Sequence, residues 1–267
     1  MRNFKKLFRI KRECFLALKR LSLALLPSEI DTLDTTAYVV IDVLRASTTI
    51  VTLFERGLSE LLVVNNLAQA VEQSKPESRI LFGEVGGIPP DGFDYGNSPS
   101  EISKLNLKNK KATLFTTNGT KTLCLAAQKG ITAVGALSNL DAVALWVGSH
   151  ESVSIICSGE LSGRRFALED FAVAARFVHK IINMYSSIEL DDAARLASEI
   201  GNYEGWIASS LTNDHTPSAR LITSAQHGQE LIELGFAADL QFCASENISE
   251  MVPCVVSSEK NWSLLTS

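Results

Sequence analysis

Short apolar runs alternate with amphipathic stretches along most of the chain, and small or charged residues separate them. The first such unit combines an apolar strand over 36–41, a helix over 46–56 that ends at Gly57, and a second strand over 61–64. Glycine is favoured just beyond a helix because it adopts left-handed backbone angles without steric cost. The pattern therefore predicts a strand, a turn, a helix and another strand in succession.

The same order returns later in the chain, with a strand over 112–115, a turn and another helix. Gly57 and Gly130, which we expect to end the two helices, are 73 residues apart, as are the expected capping residues Asn66 and Asn139. The spacing indicates two copies of one unit. Under the same offset three pairs of turn residues correspond, namely Asp42 with Phe115, Arg45 with Asn118, and Ser47 with Thr120.

A third stretch, residues 153–178, contains a strand ending at Cys157, a turn at Ser158 and Gly159, and a helix beginning near Leu168. Alternating strands and helices are typical of layered α/β proteins. We therefore predict a three-layer α/β/α fold with a parallel or mixed sheet and two similar strand-turn-helix halves. In such folds ligands bind at the carboxyl ends of the strands, so the three turns are expected to share one edge.

Two further regions complete the pattern. Residues 82–101 hold five glycines and three prolines together with charged and aromatic residues, which predicts a long functional loop. The C-terminal third predicts helices from Asp191 and from Ser218, followed by a short strand within 237–245 and a closing strand or tail within 251–256.

Composition and charge narrow the range of partners. The 267-residue chain is 46% hydrophobic with a formal net charge of −5, which suits a globular protein and argues against a nucleic-acid binder. No apolar run approaches the roughly 18 residues of a membrane span, and the five cysteines form no C-x-x-C pair. We therefore expect a cytoplasmic protein without stable membrane insertion, and the sequence leaves a homo-oligomer open.

The first 18 residues form a basic, amphipathic extension that precedes the predicted domain at residues 19–267. This extension is either a dispensable addition or a segment that binds a membrane surface or acts as a targeting signal. Within the domain, the pattern is compatible with two sub-halves at about 19–150 and 151–267.

Asp42 follows a run of β-branched residues, so it stands at the carboxyl end of a predicted strand. Two interpretations fit: a buried ion pair with Arg45, or a carboxylate that binds a metal ion or attacks phosphorus. Mg²⁺ takes oxygen ligands, usually one or two carboxylates together with water and substrate oxygens. Glu169 and Asp170 also suit ordinary compensation of a helix dipole. Candidate metal partners on the same edge are Glu84, Asp91, Asp94, Glu160, Glu169 and Asp170.

Several residues near these strand ends suit a small anionic, phosphorylated substrate. Arg45 has a planar guanidinium that binds phosphate, sulfonate or carboxylate through two hydrogen bonds. The RAST and NGT segments, and the turn at Ser158 and Gly159, precede helices whose N–H groups favour anions. Neither a Walker A motif nor a G-x-G-x-x-G motif follows a strand, so a standard nucleotide site is not indicated.

Cys157 raises a second kind of phosphatase chemistry. Thiol phosphatases carry an arginine six residues after the nucleophilic cysteine, whereas here that position is Gly163 and the arginine is Arg164. A buried structural thiol is the alternative. The histidines show no metal-ligand spacing and are expected to be ordinary surface or capping residues: His150, His179, His215 and His227.

Several ordered motifs resemble the 2-phosphosulfolactate phosphatase family, also called the ComB family. They are VVIDVLRASTTIV, GEVGGIPPDGFDYGNSPSE, TTNGT, and CSG followed by LED, and the similarity runs from about Lys19 to the C-terminus. The resemblance implies a magnesium-dependent phosphatase of α/β fold that converts (R)-2-phospho-3-sulfolactate to 3-sulfolactate, a step of coenzyme M biosynthesis. It leaves open a related small phosphorylated hydroxy acid as the substrate.

Carried onto this chain, the resemblance implies that Asp42, Glu84 and Asp170 help to hold Mg²⁺, and that Asp42 either binds the metal or attacks phosphorus. Together with Arg45 they form the expected catalytic set. Two other functions stay open at this point: a cysteine-dependent phosphatase that uses Cys157, and a non-catalytic binder of small anionic metabolites. The expected substrate-binding residues are Arg45, Ser47, Thr48, Asn97, Asn118, Gly119, Thr120, Ser158 and Gly159.

Overall fold

Ten β-strands form one mixed sheet in this computed structural model, which describes residues 18–202 and 217–267. The predicted extension over residues 1–18 lies outside the described residues, apart from Leu18. In chain order the strands are β1 (Arg20–Ala24), β2 (Ala37–Ile41), β3 (Glu60–Val64), β4 (Ile80–Gly83), β5 (Lys111–Phe115), β6 (Ile131–Gly135), β7 (Ser152–Cys157), β8 (Glu189–Leu190), β9 (Cys254–Glu259) and β10 (Trp262–Thr266). Their order across the sheet is β4–β5–β3–β10–β9–β6–β2–β7–β1–β8.

Helices cover both faces of the sheet. They are α1 (Ala46–Glu55), α2 (Leu67–Ser74), α3 (Pro99–Ile102), α4 (Gly119–Ala127), α5 (Leu140–Val147), α6 (Leu168–Met184), α7 (Asp192–Asn202), α8 (Pro217–Ser224), α9 (Gln226–Glu233) and α10 (Ala237–Cys243). Successive residues of a strand point to opposite faces, so Val39 and Ile41 of β2 belong to one core cluster with residues of α5, α6 and α7, whereas Tyr38 and Val40 belong to another with residues of α1 and α4. The predicted three-layer architecture is therefore confirmed. Within the described ranges, every helix is too short or too polar to cross a membrane.

The predicted duplication is present in the secondary structure. The succession β2–α1–β3–α2–β4 is repeated as β5–α4–β6–α5–β7. Adding 73 to the bounds of α2 gives those of α5, and the first residues of α1 and α4 differ by the same number. The third stretch predicted from the sequence therefore begins with the last strand of the second copy.

The two copies exchange their first strands. β2 pairs in parallel with β6 and β7 of the second copy, and β5 pairs in parallel with β3 and β4 of the first. The hairpin β9–β10 fills the space between β3 and β6 and pairs with both of them in antiparallel fashion. Both copies therefore depend on one sheet, while the division into sub-halves near residue 150 stays a prediction.

The C-terminal region differs most from the prediction. The strand predicted within 237–245 is wrong, because Ala237–Cys243 forms the helix α10 and buries residues at helical spacing. The helix predicted from Ser218 is divided into α8 and α9 at Ala225, whose backbone is extended. The closing strand is present as β9, and its antiparallel partner β10 is an additional element.

Two of the four predicted helix-end residues act as expected. Gly57 has a left-handed backbone with φ of +90°, and Asn66 accepts the N–H of Ala68 at 2.9 Å. Gly130 lies outside the left-handed region, and glycine is required there for another reason. A Cβ on Gly130 would lie 2.4 Å from the carbonyl oxygen of Thr36, so the residue permits close approach to the segment before β2.

Asn139 differs from Asn66 although the two positions correspond in the repeat. Its Oδ1 accepts the N–H of Ala136 at 2.9 Å, and its Nδ2 donates to the carbonyls of Val134 and Met251 at 3.1 and 2.9 Å. The buried side chain therefore joins the turn after β6 to the segment before β9. The prediction that it caps α5 is wrong, because its polar atoms bind these backbone groups.

Alanine substitutions at this pair should separate the two roles. Asn66→Ala removes an exposed cap and should lower the free energy of unfolding by about 1 kcal/mol. Asn139→Ala leaves a buried N–H and two carbonyls without their partner and should lower it by roughly 3 kcal/mol. Urea denaturation followed by far-ultraviolet circular dichroism measures both variants. Equal losses would contradict the structural role of Asn139.

Candidate active site

A cleft of about 250 Å³ lies where the turns after β2, β4, β5 and β7 meet, and α9 contributes to its wall. The structure brings six predicted site residues into this cleft: Asp42, Arg45, Glu84, Asn97, Asn118 and Glu160. The full set of lining residues is Asp42, Leu44, Arg45, Glu84, Gly86, Gly87, Asn97, Thr116, Thr117, Asn118, Glu160, Leu161, Arg165, His227, Glu230 and Leu234.

Asp42 lies between the N-termini of α1 and α4. Its Oδ1 accepts the N–H of Ala46 at 3.3 Å, and its carboxylate also accepts the N–H of Gly119. A Cβ on Gly119 would lie 2.6 Å from Asp42 Oδ2, so glycine lets the second helix approach the carboxylate this closely. Both helix termini favour negative charge at this point, because their N–H groups and dipoles are directed toward it.

Burial nonetheless disfavours the charged forms of three neighbouring carboxyl groups. It raises the pKa of Asp42 to about 6, against the opposing effects of His227 and the N–H of Ala46. It also raises the pKa of Glu169 to about 7 and that of Asp170 well above its ordinary value, with the charge of Asp42 adding to the effect on Asp170. A cation near these groups would relieve the penalty, since opposite charge favours ionised carboxylates.

Glu84 is held through both carboxylate oxygens. Oε1 accepts the N–H of Thr117 at 2.7 Å, and Oε2 accepts the N–H of Gly87 at 2.9 Å. These bonds join the loop after β4 to the turn after β5. A carboxylate oxygen accepts more than one hydrogen bond, so the Glu84 oxygens can still bind a ligand in the cleft. Glu84 lines this cleft together with Asp42.

Asp170 is buried behind the cleft and does not line it. Its Oδ1 accepts the N–H of Val43 at 2.9 Å, and its Oδ2 accepts the N–H of Gly159 at 3.1 Å. The residue therefore clamps the turn after β2 to the turn after β7. Its neighbour Glu169 is also buried, and in the described part of the chain the Oε2 atom of Glu169 has no hydrogen-bond partner.

Arg45 forms a buried ion pair, but with Asp239 and not with Asp42. Its Nη1 donates to Asp239 Oδ2 at 2.8 Å, and its Nη2 donates to the carbonyl of Gly87 at 2.7 Å. The guanidinium lies over the ring of Phe236, 4.3 Å from the ring centre. The predicted ion pair between Arg45 and Asp42 is therefore wrong, because the partner of Arg45 is Asp239, which is 194 residues away in the sequence.

Asp239 on α10 extends this network. Its Oδ1 accepts the hydroxyl groups of Ser98 and Ser100 at 2.7 and 2.6 Å, at the start of α3. Through Arg45 it is also connected to the Gly87 carbonyl in the loop after β4. A C-terminal helix thereby holds both the turn after β2 and the loop after β4.

Three predicted hydroxyl residues bind their own turns and do not line the cleft. Ser47 Oγ accepts the N–H of Asp42 at 2.8 Å, and Thr120 Oγ1 accepts the N–H of Thr116 at 3.1 Å. Thr48 donates to a backbone carbonyl of its own turn at 3.1 Å. Ser47 and Thr120 correspond in the repeat, and each accepts a backbone N–H at the start of its own turn, although the donor in the second copy is one position later. Substrate contact by these three residues stays a prediction.

Two predicted residues carry buried polar atoms that lack a hydrogen-bond partner within residues 18–202 and 217–267. They are Asn97, through Oδ1, and Ser158, through Oγ. Asn97 lines the cleft, so its oxygen is available to a ligand there, whereas Ser158 lies behind the cleft. Gly159 has a left-handed backbone with φ of +63°, and a Cβ there would lie 2.6 Å from the carbonyl oxygen of Arg165.

The charged or ionisable cleft residues that the sequence does not indicate are Arg165, His227 and Glu230. His227 faces the cleft from α9, and its Nδ1 lies 3.3 Å from Glu230 Oε2. The expectation of an ordinary surface or capping position is wrong for this histidine, because it lines the cleft. Its place there depends on how α9 packs against distant parts of the chain, and such packing leaves no local pattern in the sequence. Of the predicted carboxylates, Asp91 and Asp94 are exposed and lie outside the cleft.

Cys157 is fully buried and does not line the cleft. Burial and the nearby Asp170 carboxyl raise the pKa of its thiol well above the ordinary value, which disfavours the thiolate that nucleophilic attack requires. Arg164 is exposed, and its Nε donates to the Leu161 carbonyl at 3.0 Å. These observations favour the structural alternative for this thiol.

No group of three or more carboxyl, imidazole or thiol side chains is gathered as a metal site in the part of the chain that the structure describes. Mg²⁺ requires fewer, since it usually takes one or two carboxylates and completes its octahedron with water and phosphate oxygens. Two of the three predicted ligands, Asp42 and Glu84, face the same cleft.

Known proteins resemble this chain over most of its length. Residues 24–258 match the sequence model of a family described as 2-phosphosulpholactate phosphatase. A protein of Carboxydothermus hydrogenoformans named "Probable 2-phosphosulfolactate phosphatase" is 34% identical over 85% of this chain and 89% of its own length. Proteins with the same name are 35% identical in Pseudothermotoga lettingae, over 82% and 88%, and in Deinococcus radiodurans, over 81% and 86%.

Removing the Asp42 carboxylate should change how stability depends on pH. Its pKa is about 6 in the fold and 3.8 otherwise, so the unsubstituted protein loses stability as pH rises through this range. Asp42→Asn should lack that loss. With EDTA present, the variant should gain roughly 2–3 kcal/mol in free energy of unfolding relative to the unsubstituted protein between pH 4 and pH 7.5.

Urea denaturation at the two pH values measures this difference. Asp91→Asn removes an exposed carboxylate and serves as the control, which should show no comparable pH dependence. A difference between Asp42→Asn and the unsubstituted protein that does not change with pH would contradict the raised pKa.

Proposed function

Because the chain belongs to the 2-phosphosulpholactate phosphatase family, we propose that it hydrolyses 2-phosphosulfolactate, or a closely related phosphorylated hydroxy acid, to the free hydroxy acid and inorganic phosphate. The observation that carries this proposal is the Asp42 carboxylate, held between two helix N-termini in the cleft. Phosphoryl transfer depends on positioning and charge stabilisation, and this arrangement provides both.

In the proposed reaction, water supplies an oxygen to phosphorus. The new P–O bond forms, the bond from phosphorus to the hydroxy-acid oxygen breaks, and that oxygen takes up a proton. Asp42 suits two alternative roles: it holds the metal ion and orients the water, or it attacks phosphorus and the acyl phosphate is then hydrolysed. In both roles the N–H groups of Ala46 and Gly119 hold the carboxylate in place.

Mg²⁺ is the cofactor that we propose for the cleft. A cation fits because burial raises the pKa values of Asp42 and Glu169, and because Glu169 Oε2 has no partner among the residues described. Asp42 and Glu84 would hold the ion, with water and substrate oxygens completing its shell. When bound, Mg²⁺ supplies positive charge to the phosphate oxygens. We assign Asp170 to clamping the two turns, because it does not line the cleft as Glu84 does and both its oxygens accept backbone N–H groups.

In this proposal Arg45 both positions the loops around the cleft and contacts the substrate. A guanidinium has five N–H donors, and the bonds to Asp239 and Gly87 use two of them. A further donor is therefore free to meet a phosphate oxygen in the cleft.

The cytoplasmic location expected from the cysteines belongs to this proposal as well, supported by four described cysteines that are free thiols. A place in coenzyme M biosynthesis stays a prediction.

Activity measurements should separate this function from its alternatives. Asp42→Asn should lower the rate of phosphate release from 2-phosphosulfolactate by roughly 100-fold or more. Cys157→Ala should stay within about threefold of the unsubstituted rate, since the thiol is buried and does not line the cleft. A colorimetric phosphate assay with and without EDTA measures both. A fully active Asp42→Asn variant would refute the assignment, and an inactive but folded Cys157→Ala variant would favour the thiol mechanism. Saturable binding with no phosphate release would favour the non-catalytic binder.

Metal binding should be visible without turnover. Mg²⁺ should raise the melting temperature of the unsubstituted protein at pH 7.5 and much less at pH 5, because the Asp42 and Glu169 carboxyls become protonated below their pKa values of about 6 and 7. Asp42→Asn should abolish the shift, and Asp91→Asn should keep it. Differential scanning fluorimetry measures these shifts, and an unchanged shift in Asp42→Asn would contradict the proposed ligand.

A further inference from the structure

We propose that Arg165 binds the sulfonate of the substrate and thereby sets the preference for a sulfonated hydroxy acid. This inference rests on the proposed function and goes beyond it, because it names the residue that recognises the part of the substrate that does not react. It is carried by a comparison of the two arginines in the cleft.

The cleft by itself is poorly suited to an anion of high charge. Its lining includes four carboxylates, at Asp42, Glu84, Glu160 and Glu230, against two arginines and one histidine. The proposed substrate carries a phosphate, a carboxylate and a sulfonate. A metal ion beside Asp42 would meet the phosphate, so the groups at the other end of the substrate need a cation supplied by the chain itself.

Arg45 is not available for a group at the mouth of the cleft. Its side chain is 2% exposed and its ion pair with Asp239 is fully buried. The carbonyl of Gly87 and the ring of Phe236 hold the guanidinium further. Breaking a buried pair leaves an uncompensated charge, so Arg45 stays with its protein partners when substrate enters.

Arg165 has the opposite character. Its side chain is 41% exposed, and its guanidinium pairs with Glu160, whose side chain is 12% exposed. Glu160 is buried, so its pair with Arg165 is retained when substrate enters. The guanidinium has five N–H donors, and those on its exposed side can bind a substrate oxyanion while the pair stays in place. The planar fork of arginine matches two oxygens of a sulfonate.

The backbone holds Arg165 in this place independently of its ion pair. The N–H of Glu160 donates to the Arg165 carbonyl at 2.8 Å, and the N–H of Arg165 donates to the Glu160 carbonyl at 3.1 Å. The N–H of Ser162 donates to Asn118 Oδ1 at 2.8 Å, and Lys121 Nζ donates to the Ser162 hydroxyl at 2.9 Å. The loop after β7, which carries Arg165, is therefore anchored to the turn after β5 and to the start of α4.

The depth of the two residues in the cleft indicates that Arg165 binds the substrate's sulfonate and not the substrate's carboxylate. Asp42 is 7% exposed and marks the deep end where phosphorus reacts, while the Arg165 side chain is partly open to solvent. In 2-phosphosulfolactate the sulfonate is attached one carbon further from the phosphate-bearing carbon than the carboxylate is. The more distant anion therefore meets the more exposed cation.

Paired substrates test this assignment. The two substrates are 2-phosphosulfolactate and 2-phospholactate, which has a methyl group in place of the sulfomethyl group and keeps the phosphate and carboxylate. Arg165→Gln should lower kcat/KM for the sulfonated substrate by roughly 30-fold, mainly through KM, and change that for 2-phospholactate by less than about threefold. Arg165→Lys keeps the charge without the fork and should fall between.

Arg164→Gln is the matched control, since the neighbouring arginine is exposed and lies outside the cleft. It should leave both values unchanged. Equal losses on the two substrates in Arg165→Gln and Arg165→Lys would overturn the proposal, as would a full preference retained by both variants. An unsubstituted protein that releases no phosphate from either substrate would instead refute the proposed function.

Discussion

The exchange of first strands between the two copies is the constraint on which the cleft depends. β2 and β5 each lie between two strands of the other copy, so the helix that follows must cross the β9–β10 hairpin to reach the next strand of its own copy. α4 accordingly packs on β2, β3, β6, β9 and β10. The crossing brings the first residues of both helices together, with Gly119 against Ala46 and Asp42. The cleft therefore arises from the interlocking of the copies, and no single loop accounts for it.

This meeting point concentrates negative charge where water is scarce. Burial raises the pKa values of Asp42, Glu169 and Asp170, so the ionised site opposes the folded state at neutral pH. Backbone N–H groups offset part of that penalty at Asp42 and Asp170. Among the described residues Glu169 Oε2 has no hydrogen-bond partner, so the desolvation penalty at this carboxyl is less fully offset. Functional sites commonly retain such unfavourable charge, because the ligand that binds there relieves it.

Local physics explains which features the sequence reveals. The strands, the helices, the repeat and the carboxylate at a strand end follow from hydrophobic periodicity and from residues acting within one turn, as Asn66 does at its helix. Asn139 is the same residue at the corresponding position, but its partners come from two segments distant in the chain. The pairing of Arg45 with Asp239 and the position of His227 also depend on where the C-terminal helices pack. Periodicity carries no information about such contacts, so the sequence indicates the chemistry of the site better than its partners.

The repeat also separates residues that support the site from residues that perform its chemistry. Ser47 and Thr120 correspond, and each binds a backbone N–H at the start of its own turn, so this position braces the turn in both copies. Asp42 and Phe115 correspond as well, yet the first lines the cleft and the second packs in an apolar cluster. At the turn after its first strand, the second copy contributes backbone N–H groups, from Gly119 to Asp42 and from Thr117 to Glu84. Because the two helix termini already meet at one carboxylate, a charged side chain is needed at this turn position in only one copy, and the corresponding position in the other copy packs in the core.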